Sequence, residues 1–242
     1  MRVCSGASAR YIQSCSVTLM LIVKAFGGLA FLMALIGLTL FFAAGDLSYW
    51  QARVFLAVFG VSVLAITLYL VAKDRALLER RVEAGPLAER QAAQKLLQLI
   101  AGLAFVGIFV VAGLDHRLGW TRVAMSTTIV GNLLVAVGLL IVFFVFRENT
   151  FTSATIDVAP DQQVISTGPY RIVRHPMYSG VMIMLAGVPL ALGSRTALLS
   201  VFPIAAAIVV RLLDEERFLA RNLPGYNSYC ARVRKRLVPL LW

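Results

Sequence analysis

The sequence predicts an all-α integral membrane protein with about six transmembrane helices, the last two forming a helical hairpin. The first reason is composition. Hydrophobic residues make up 60% of the 242-residue chain and charged residues only 14%, whereas roughly a quarter of the residues in a typical soluble domain are charged. The second reason is patterning, because charge-poor stretches long enough to cross a bilayer recur along the chain. We therefore expect a single membrane domain.

Six stretches have the length and apolar composition of membrane spans. They lie at about 20–44, 54–72, 96–114, 123–146, 177–193 and 197–213. The first contains an uncharged run, 25–44, that is longer than the apolar core of a secretory signal, so we expect a retained helix. The last two are about 17 residues long, which gives roughly 26 Å each and is just enough for a thin hydrocarbon core. Residues 1–16 are expected to be a disordered tail.

The basic residues indicate how these helices are oriented. The alternate loops hold only Arg53, Arg117, Arg122 and Arg195. Most of the other Lys and Arg residues lie near the N-terminus, in 73–95, in 147–176 and after 213. Loops rich in Lys and Arg stay in the cytoplasm, so both termini and the 147–176 loop are expected on that side, in a bacterial inner membrane. The same bias explains the net charge of +11 without a nucleic-acid partner.

The segment 73–95 carries both signs of charge and is interrupted by Gly85-Pro86. We expect a solvated helix–turn–helix at the membrane interface. A basic patch that binds lipid headgroups is the alternative, although the acidic residues offset its charge. Elsewhere, the three cysteines show neither CxxC nor Cys/His spacing, so we expect free thiols and no bound metal.

The stretch STGPYRIVRHPMYSG, residues 166–180, is a cationic and rigid loop between two apolar spans. Proline restricts its own backbone and that of the residue before it, so His175-Pro176 is expected to begin a helix with the proline in its first turn. Arg174 and His175 are then presented at the cytoplasmic mouth of the fifth span. The alternative is that Arg171 and Arg174 simply anchor the loop to lipid headgroups.

The returning helix of the hairpin brings more charge to the same face of the membrane. Arg211 and Glu215 are four residues apart, so they share one side of the sixth helix. Arg211 alone would also be explained by snorkelling to the interface. Taken with the loop, these residues predict a cytoplasmic pocket that suits a small ligand carrying both charges.

This ordered set of residues resembles the integral-membrane methyltransferases, a superfamily that includes isoprenylcysteine carboxyl methyltransferases and phospholipid methyltransferases. The resemblance covers roughly residues 145–238. It rests on Gly168-Pro169-Tyr170, the run from Arg174 to Gly180, Arg211 followed by Glu215-Glu216, and the tail Gly225-Tyr226-Asn227-Ser228-Tyr229. The first three spans match only as hydrophobic helices.

The resemblance implies S-adenosylmethionine as the methyl donor, bound in the cytoplasmic pocket. The implied cofactor-binding residues are Gln162, Gln163, Val164, Ile165, Tyr170, His175, Pro176, Met177, Tyr178, Glu215 and Glu216. Glu215 is similar to the carboxylate that holds the cofactor in the family. Arg211 takes the position of the family's substrate-side arginine, and Arg174 is a second candidate for the substrate. His175 is the candidate base if the acceptor is an amine.

On this interpretation the chain divides into a tail (1–16), four spans with the 73–95 loop (17–146) and a catalytic region (147–242). The acceptor is expected to be lipophilic, either the carboxylate of an isoprenylcysteine-like molecule or a lipid amine. Two other functions remain open. One is an NADPH-dependent sterol-type reductase of the same superfamily, whose Arg-His-Pro-x-Tyr run and Tyr-Cys pair are similar to residues here. The other is a non-catalytic membrane binding protein.

Overall fold

The computed structural model describes residues 5–82, 92–152, 162–239 and 242, with the side chains of 5–18 and 92–93 left out. Within these ranges the chain is helical and has no strand. The helices are α1 (Ser5–Ala44), α2 (Trp50–Lys73), α3 (Arg75–Val82), α4 (Ala92–Leu118), α5 (Met125–Glu148), α6 (Pro176–Ala191), α7 (Val201–Asn222) and α8 (Tyr226–Arg232). Two short 3-10 helices, Gly168–Arg171 and Thr196–Ser200, precede α6 and α7. The predicted all-α fold is confirmed.

Five of these helices are long and apolar enough to cross a membrane. They are α1, counted from Leu19, α2, α4 from Gln94, α5, and α7 with the 3-10 turn before it. Large apolar side chains face outward along them, as on α1, where Phe31, Leu38 and Phe42 are 70%, 72% and 89% exposed. Such a surface suits lipid and not water. The chain is therefore built as an integral membrane protein.

The fifth predicted span, 177–193, forms the shorter helix α6, which has 16 residues. At 1.5 Å per residue it is about 24 Å long. It ends because Gly193 adopts φ +71°, a left-handed conformation that glycine accepts without strain. Residues that the hairpin was predicted to bring together do meet, since His175 Nε2 lies 3.3 Å from Glu216 Oε1.

Helices α5 and α6 are the most closely packed pair in the fold. Two glycines on each helix make this possible: Gly131 and Gly138 on α5, and Gly180 and Gly187 on α6. A Cβ atom added to Gly138 would lie 2.5 Å from the carbonyl oxygen of Gly180, and one added to Gly187 would lie 2.6 Å from that of Gly131. Small residues let helix backbones approach in membranes, where dispersion contacts drive association. The interface sets the position of α6.

A polar cluster fixes the opposite end of α6 and the turn into α7. The Asp115 carboxylate, at the end of α4, accepts hydrogen bonds from the hydroxyls of Ser194 and Thr196 at 2.5 and 2.7 Å. It also accepts one from the Thr121 backbone N–H at 2.7 Å. Asp115 is only 1% exposed, so these donors satisfy a carboxylate that would otherwise be costly to bury.

Two predictions about the N-terminal half need correction. Residues 5–16, expected to be a disordered tail, form the first turns of α1; they contain no proline, and an established helix propagates easily into such a segment. Of the solvated helix–turn–helix predicted at 73–95, the structure describes α3 and the start of α4, and α3 is solvated on one face only, because Leu77 and Leu78 are buried against α1 and α2. The predicted turn at Gly85-Pro86 lies outside the described residues.

We predict that Gly138→Ala lowers the stability of the detergent-solubilised protein. The added Cβ has no room between α5 and α6, and overpacking of this kind costs about 1–3 kcal/mol. The measurement is the thermal unfolding midpoint in a neutral detergent.

Gly102→Ala is the matched control, because nothing lies within 4 Å of a Cβ at that position of α4. It should be neutral or stabilising by up to about 1 kcal/mol, since alanine is the better helix former. Equal midpoints for both variants would contradict the close approach of α5 and α6.

Candidate active site at the ends of α6 and α7

A cavity of about 320 Å³ lies where α6 begins and α7 nears its end. Its size falls in the range of small-molecule sites. Segments from across the chain contribute to its wall: α3, α4, the end of α5, the 162–174 segment, α6, α7 and α8. All but one of the predicted site residues line it, namely Gln162, Gln163, Val164, Ile165, Tyr170, Arg174, His175, Pro176, Met177, Tyr178, Arg211 and Glu215. Their roles stay predictions.

Glu216 is the exception, because it does not line the cavity. It is 9% exposed, and its two oxygens contact two arginines and a histidine from behind. Arg174 Nη1 and His175 Nε2 lie 3.1 and 3.3 Å from Oε1, and Arg236 Nε donates to Oε2 at 2.8 Å. Its position does not support the predicted contact with a cofactor. Glu216 instead positions the loop that precedes α6.

The C-terminal segment straps the start of α6 in place. The backbone N–H groups of Arg174 and His175 donate to the carbonyl oxygens of Lys235 and Arg236 at 2.9 and 3.0 Å. The Ser179 hydroxyl donates to the Leu237 carbonyl at 2.6 Å. Pro176 occupies the first helical turn, as predicted, where its missing N–H costs nothing. The N-terminal end of α6 therefore cannot move without the tail.

A glycine begins the turn that leads into this loop. Gly168 has φ +54°, and a Cβ atom there would lie 2.8 Å from the Glu148 carboxyl at the end of α5. The positive φ favours glycine at this position, and a larger residue would also displace the Glu148 side chain. The tight turn brings Tyr170 to the cavity.

Glu215 presents its carboxylate to the cavity. The Tyr178 hydroxyl, one turn into α6, donates to Glu215 Oε2 at 2.7 Å. Successive residues of a helix point about 100° apart, so Glu215 faces the cavity while Glu216 faces the loop. The adjacent carboxylates thus have different surroundings.

Arg211 is oriented by a residue that sequence reasoning did not identify. Gln94, at the start of α4, is fully buried, and its Oε1 accepts a hydrogen bond from Arg211 Nη1 at 3.3 Å. The Gln94 amide nitrogen donates to Asp214 Oδ2 at 2.9 Å. One amide thereby links two charged residues of α7, and α4 becomes part of the site.

Tyrosines form the wall opposite α7. Tyr170 Oη accepts a hydrogen bond from Asn149 Nδ2 at 3.0 Å, and its carbonyl oxygen accepts one from the Tyr229 hydroxyl at 2.7 Å. Burial raises the pKa of Tyr170, Tyr226 and Tyr229 above the usual value. These side chains are therefore neutral hydroxyls at physiological pH. The Tyr226 hydroxyl is buried and has no hydrogen-bond partner among the residues that the structure describes.

Several residues that line the cavity were not predicted from the sequence. They are Arg81, Gln98, Asn149, Phe151, Thr152, Leu219, Leu223, Tyr226 and Tyr229. Tyr226 and Tyr229 belong to the tail motif that carried the resemblance, so that motif was the available signal. Arg81 and Gln98 had no such signal, because only the folded chain brings α3 and α4 to the site. In the ranges that the structure describes, no three His, Cys, Asp or Glu side chains are placed to hold a metal ion.

The family model described as phospholipid methyltransferase matches residues 126–224. The matched segment runs from α5 through α7, so it contains the loop, the hairpin and both Arg211 and Glu215. The resemblance found in the sequence is confirmed by this match, since the matched family belongs to the membrane methyltransferase superfamily that includes the isoprenylcysteine enzymes. At the level of the family, it supports a membrane methyltransferase.

The chain is also similar to a nickel-cobalt-cadmium resistance protein, NccN, of Alcaligenes xylosoxydans xylosoxydans. The two are 24% identical over 133 residues, which is 48% of this chain. The chain covers 62% of the length of that relative, less than two thirds.

We predict that Glu216→Gln destabilises the protein. Glutamine cannot neutralise the two arginines around it, and breaking a buried charge cluster costs about 3 kcal/mol or more. The thermal midpoint in detergent should fall clearly.

Glu79→Gln provides the control, since it removes the same charge from an exposed position on α3. Its midpoint should match the wild type. A Glu216→Gln protein as stable as this control would show that the cluster does not organise the loop.

Proposed function

We propose that this chain, whose residues 126–224 match the phospholipid methyltransferase family, is a membrane-embedded methyltransferase that uses S-adenosylmethionine. The acceptor would be lipophilic, with either an isoprenylcysteine-like carboxylate or a lipid amine as the methylated group. The observation that carries the proposal is the hydrogen-bonded pair Tyr178–Glu215. Both residues belong to the matched segment, and both line the cavity. The cavity lies at the ends of apolar helices, so a soluble cofactor could enter it from water and the tail of a lipid could enter it from the membrane.

The residues around the cavity fit such a cofactor. The Glu215 carboxylate suits its ammonium group, and the unpartnered Tyr226 hydroxyl offers a buried donor or acceptor. Phe151, Leu219 and Leu223 supply apolar wall for the nucleoside or for the tail of the acceptor. Buried polar groups that lack a protein partner commonly meet one in a ligand.

When bound, S-adenosylmethionine would supply a methyl group on a sulfonium: a lone pair of the acceptor would bond to the methyl carbon as the C–S bond breaks, and the electrons of that bond would leave on the sulfur of S-adenosylhomocysteine. The protein then needs no covalent nucleophile. Its residues orient the acceptor and exclude water, which are the main means of accelerating a transfer between two held reactants.

Different charged side chains would bind the cofactor and the acceptor. Glu215, held by Tyr178, would bind the cofactor, and Arg211, held by Gln94, would face the acceptor. His175 Nε2 is engaged by Glu216, so its contribution as a base would require the other ring nitrogen or a rearrangement. A carboxylate acceptor needs no base at all, because it is already deprotonated near neutral pH.

The cavity would open to the cytoplasm of a bacterial inner membrane. Support comes from the basic residues on the same side of the fold, in α3 and in the segment after α8. The positive-inside bias favours that side as cytoplasmic.

We predict that Glu215→Gln weakens binding of S-adenosylhomocysteine to the detergent-purified protein by about 10- to 100-fold. This is the range expected when one charge-assisted contact is lost. Calorimetric titration measures it, and the unfolding midpoint should stay within a few degrees of the wild type.

Glu79→Gln should bind the product analogue like the wild type. Unchanged affinity in Glu215→Gln would refute the role given to Glu215. Absence of binding to the wild type, with NADPH binding instead, would replace the methyltransferase by the reductase.

We predict that Arg211→Gln separates binding from turnover. The variant should keep its affinity for S-adenosylhomocysteine within about threefold, because Glu215 remains, and should lose about 10-fold or more of its methyl transfer to a membrane lipid extract. Transfer from radiolabelled S-adenosylmethionine is the assay.

Arg217→Gln is the control, because the Arg217 side chain is 71% exposed and its recorded ion pair among the described residues is with Asp214, three positions earlier on α7. Its turnover should be unchanged. Equal turnover in Arg211→Gln and Arg217→Gln would exclude Arg211 from the acceptor site.

A further inference from the structure

Arg81 brings a second guanidinium to the cavity from outside the matched segment. It lies at the end of α3 and lines the same cavity as Arg211. Its Nη2 is 3.5 Å from Met177 Sδ, and its Cζ is 4.6 Å from the centre of the Phe146 ring. A thioether and an aromatic face are weak partners for a full positive charge.

In the part of the chain that the structure describes, no carboxylate is recorded as an ion-pair partner of Arg81. Among the described residues, its recorded polar partner is the Met177 sulfur, and no acidic group lies within ion-pair distance. Arg174 provides the contrast, since Glu216 neutralises it at 3.1 Å. Burial, with the nearby Arg211 charge, lowers the pKa of the Arg81 guanidinium. A half-buried cation without a counter-charge favours an anion from elsewhere.

The balance of charge around the cavity points the same way. Arg81, Arg174 and Arg211 line it, and the acidic group among its lining residues is Glu215. Glu216 offsets Arg174 from behind, which leaves two arginines facing one carboxylate. An acceptor with a negative group would restore the balance, whereas a cationic amine would add a like charge.

Arg81 is also held in place before any ligand arrives. The neighbouring Leu77 and Leu78 are buried, and Arg80 Nη1 donates to the Thr150 carbonyl at 2.7 Å. The Asp74 carboxylate caps the start of α3, because it accepts a hydrogen bond from the Leu77 N–H at 2.9 Å. An arginine fixed in this way loses little conformational entropy when it binds an anion.

We propose that Arg81, together with Arg211, binds an anionic group of the methyl acceptor. The inference rests on the proposed methyltransferase function and adds the charge of the acceptor to it. The negative group is a carboxylate or a phosphate, either the atoms that are methylated or a group beside them. A lipophile whose headgroup is only an amine would not use this residue.

The test measures binding of three probes with the same tail: dodecanoate, dodecyl phosphate and dodecylamine. Each is titrated into the protein loaded with S-adenosylhomocysteine, in a neutral maltoside detergent. The wild type should bind at least one anion about tenfold or more tightly than the amine, since one charge-assisted contact is worth about that factor. R81Q should lose most of this preference, and R81K should recover part of it.

R75Q is the matched control, because Arg75 lies exposed on the same helix and away from the cavity. It removes the same charge and should keep the wild-type preference. Which anion binds more tightly identifies the source: dodecanoate indicates an acidic acceptor, and dodecyl phosphate indicates a phosphate-bearing lipid. If both anions bind more tightly than dodecylamine by the same factor, the result supports a two-arginine site that accepts either headgroup.

Two results would overturn the proposal: a wild type that does not prefer the anions to dodecylamine, or a preference that R81Q retains. Failure of the proposed function has a different signature, because S-adenosylhomocysteine would then not bind the wild type. The probe titrations on unloaded protein would still report whether Arg81 binds anions. R81K, which keeps the charge, separates loss of folding in R81Q from loss of the contact.

Discussion

The candidate site depends on one buried carboxylate, Glu216. It lies on α7 and binds Arg174 and His175 from the loop before α6 and Arg236 from the C-terminal segment. A buried carboxylate is stable only with such partners, so moving any partner away would cost the free energy of an uncompensated buried charge. Three segments distant in sequence are thereby joined at one point. The cavity wall is built from residues adjacent to that point, so its shape follows from this cluster.

The rest of the fold supports the cluster by fixing α6 along its length. The glycine interface presses α6 against α5, and the Asp115 network holds the turn at its other end. Packed glycines tolerate little sliding, because any shift brings backbone atoms into contact. Tyr178, one turn into α6, is thus presented to Glu215 by a helix that is constrained at both ends and along one face. A site on such rigid elements can be preorganised for its ligand.

The sequence predicted these features where a local rule applied. His175-Pro176 marks the start of a helix, and the four-residue spacing of Arg211 and Glu215 places both on one side of α7; each follows from backbone geometry and each is seen. Prediction failed where the outcome depended on contacts between distant segments. The sequence around each residue does not predict that Glu216 faces away from the cavity or that Gln94 binds Arg211. It also does not predict that Leu77 buries one face of α3. The assignment of 5–16 as a tail failed for another reason, since composition alone does not show where a helix begins.

Adjacent carboxylates on one helix explain how a single sequence element can serve both structure and ligand. Glu216 is already neutralised by Arg174 and Arg236, so the field that it would exert on the cavity is largely cancelled. Glu215 bonds to a neutral phenol and keeps its charge available to the cavity. Arg211, which Gln94 orients, and Arg81, which lies against Met177 and the Phe146 ring, line the same cavity. The folded chain therefore separates its internal ion pairs from the charges that it leaves for ligands, and it does so because helix geometry points neighbouring residues in different directions.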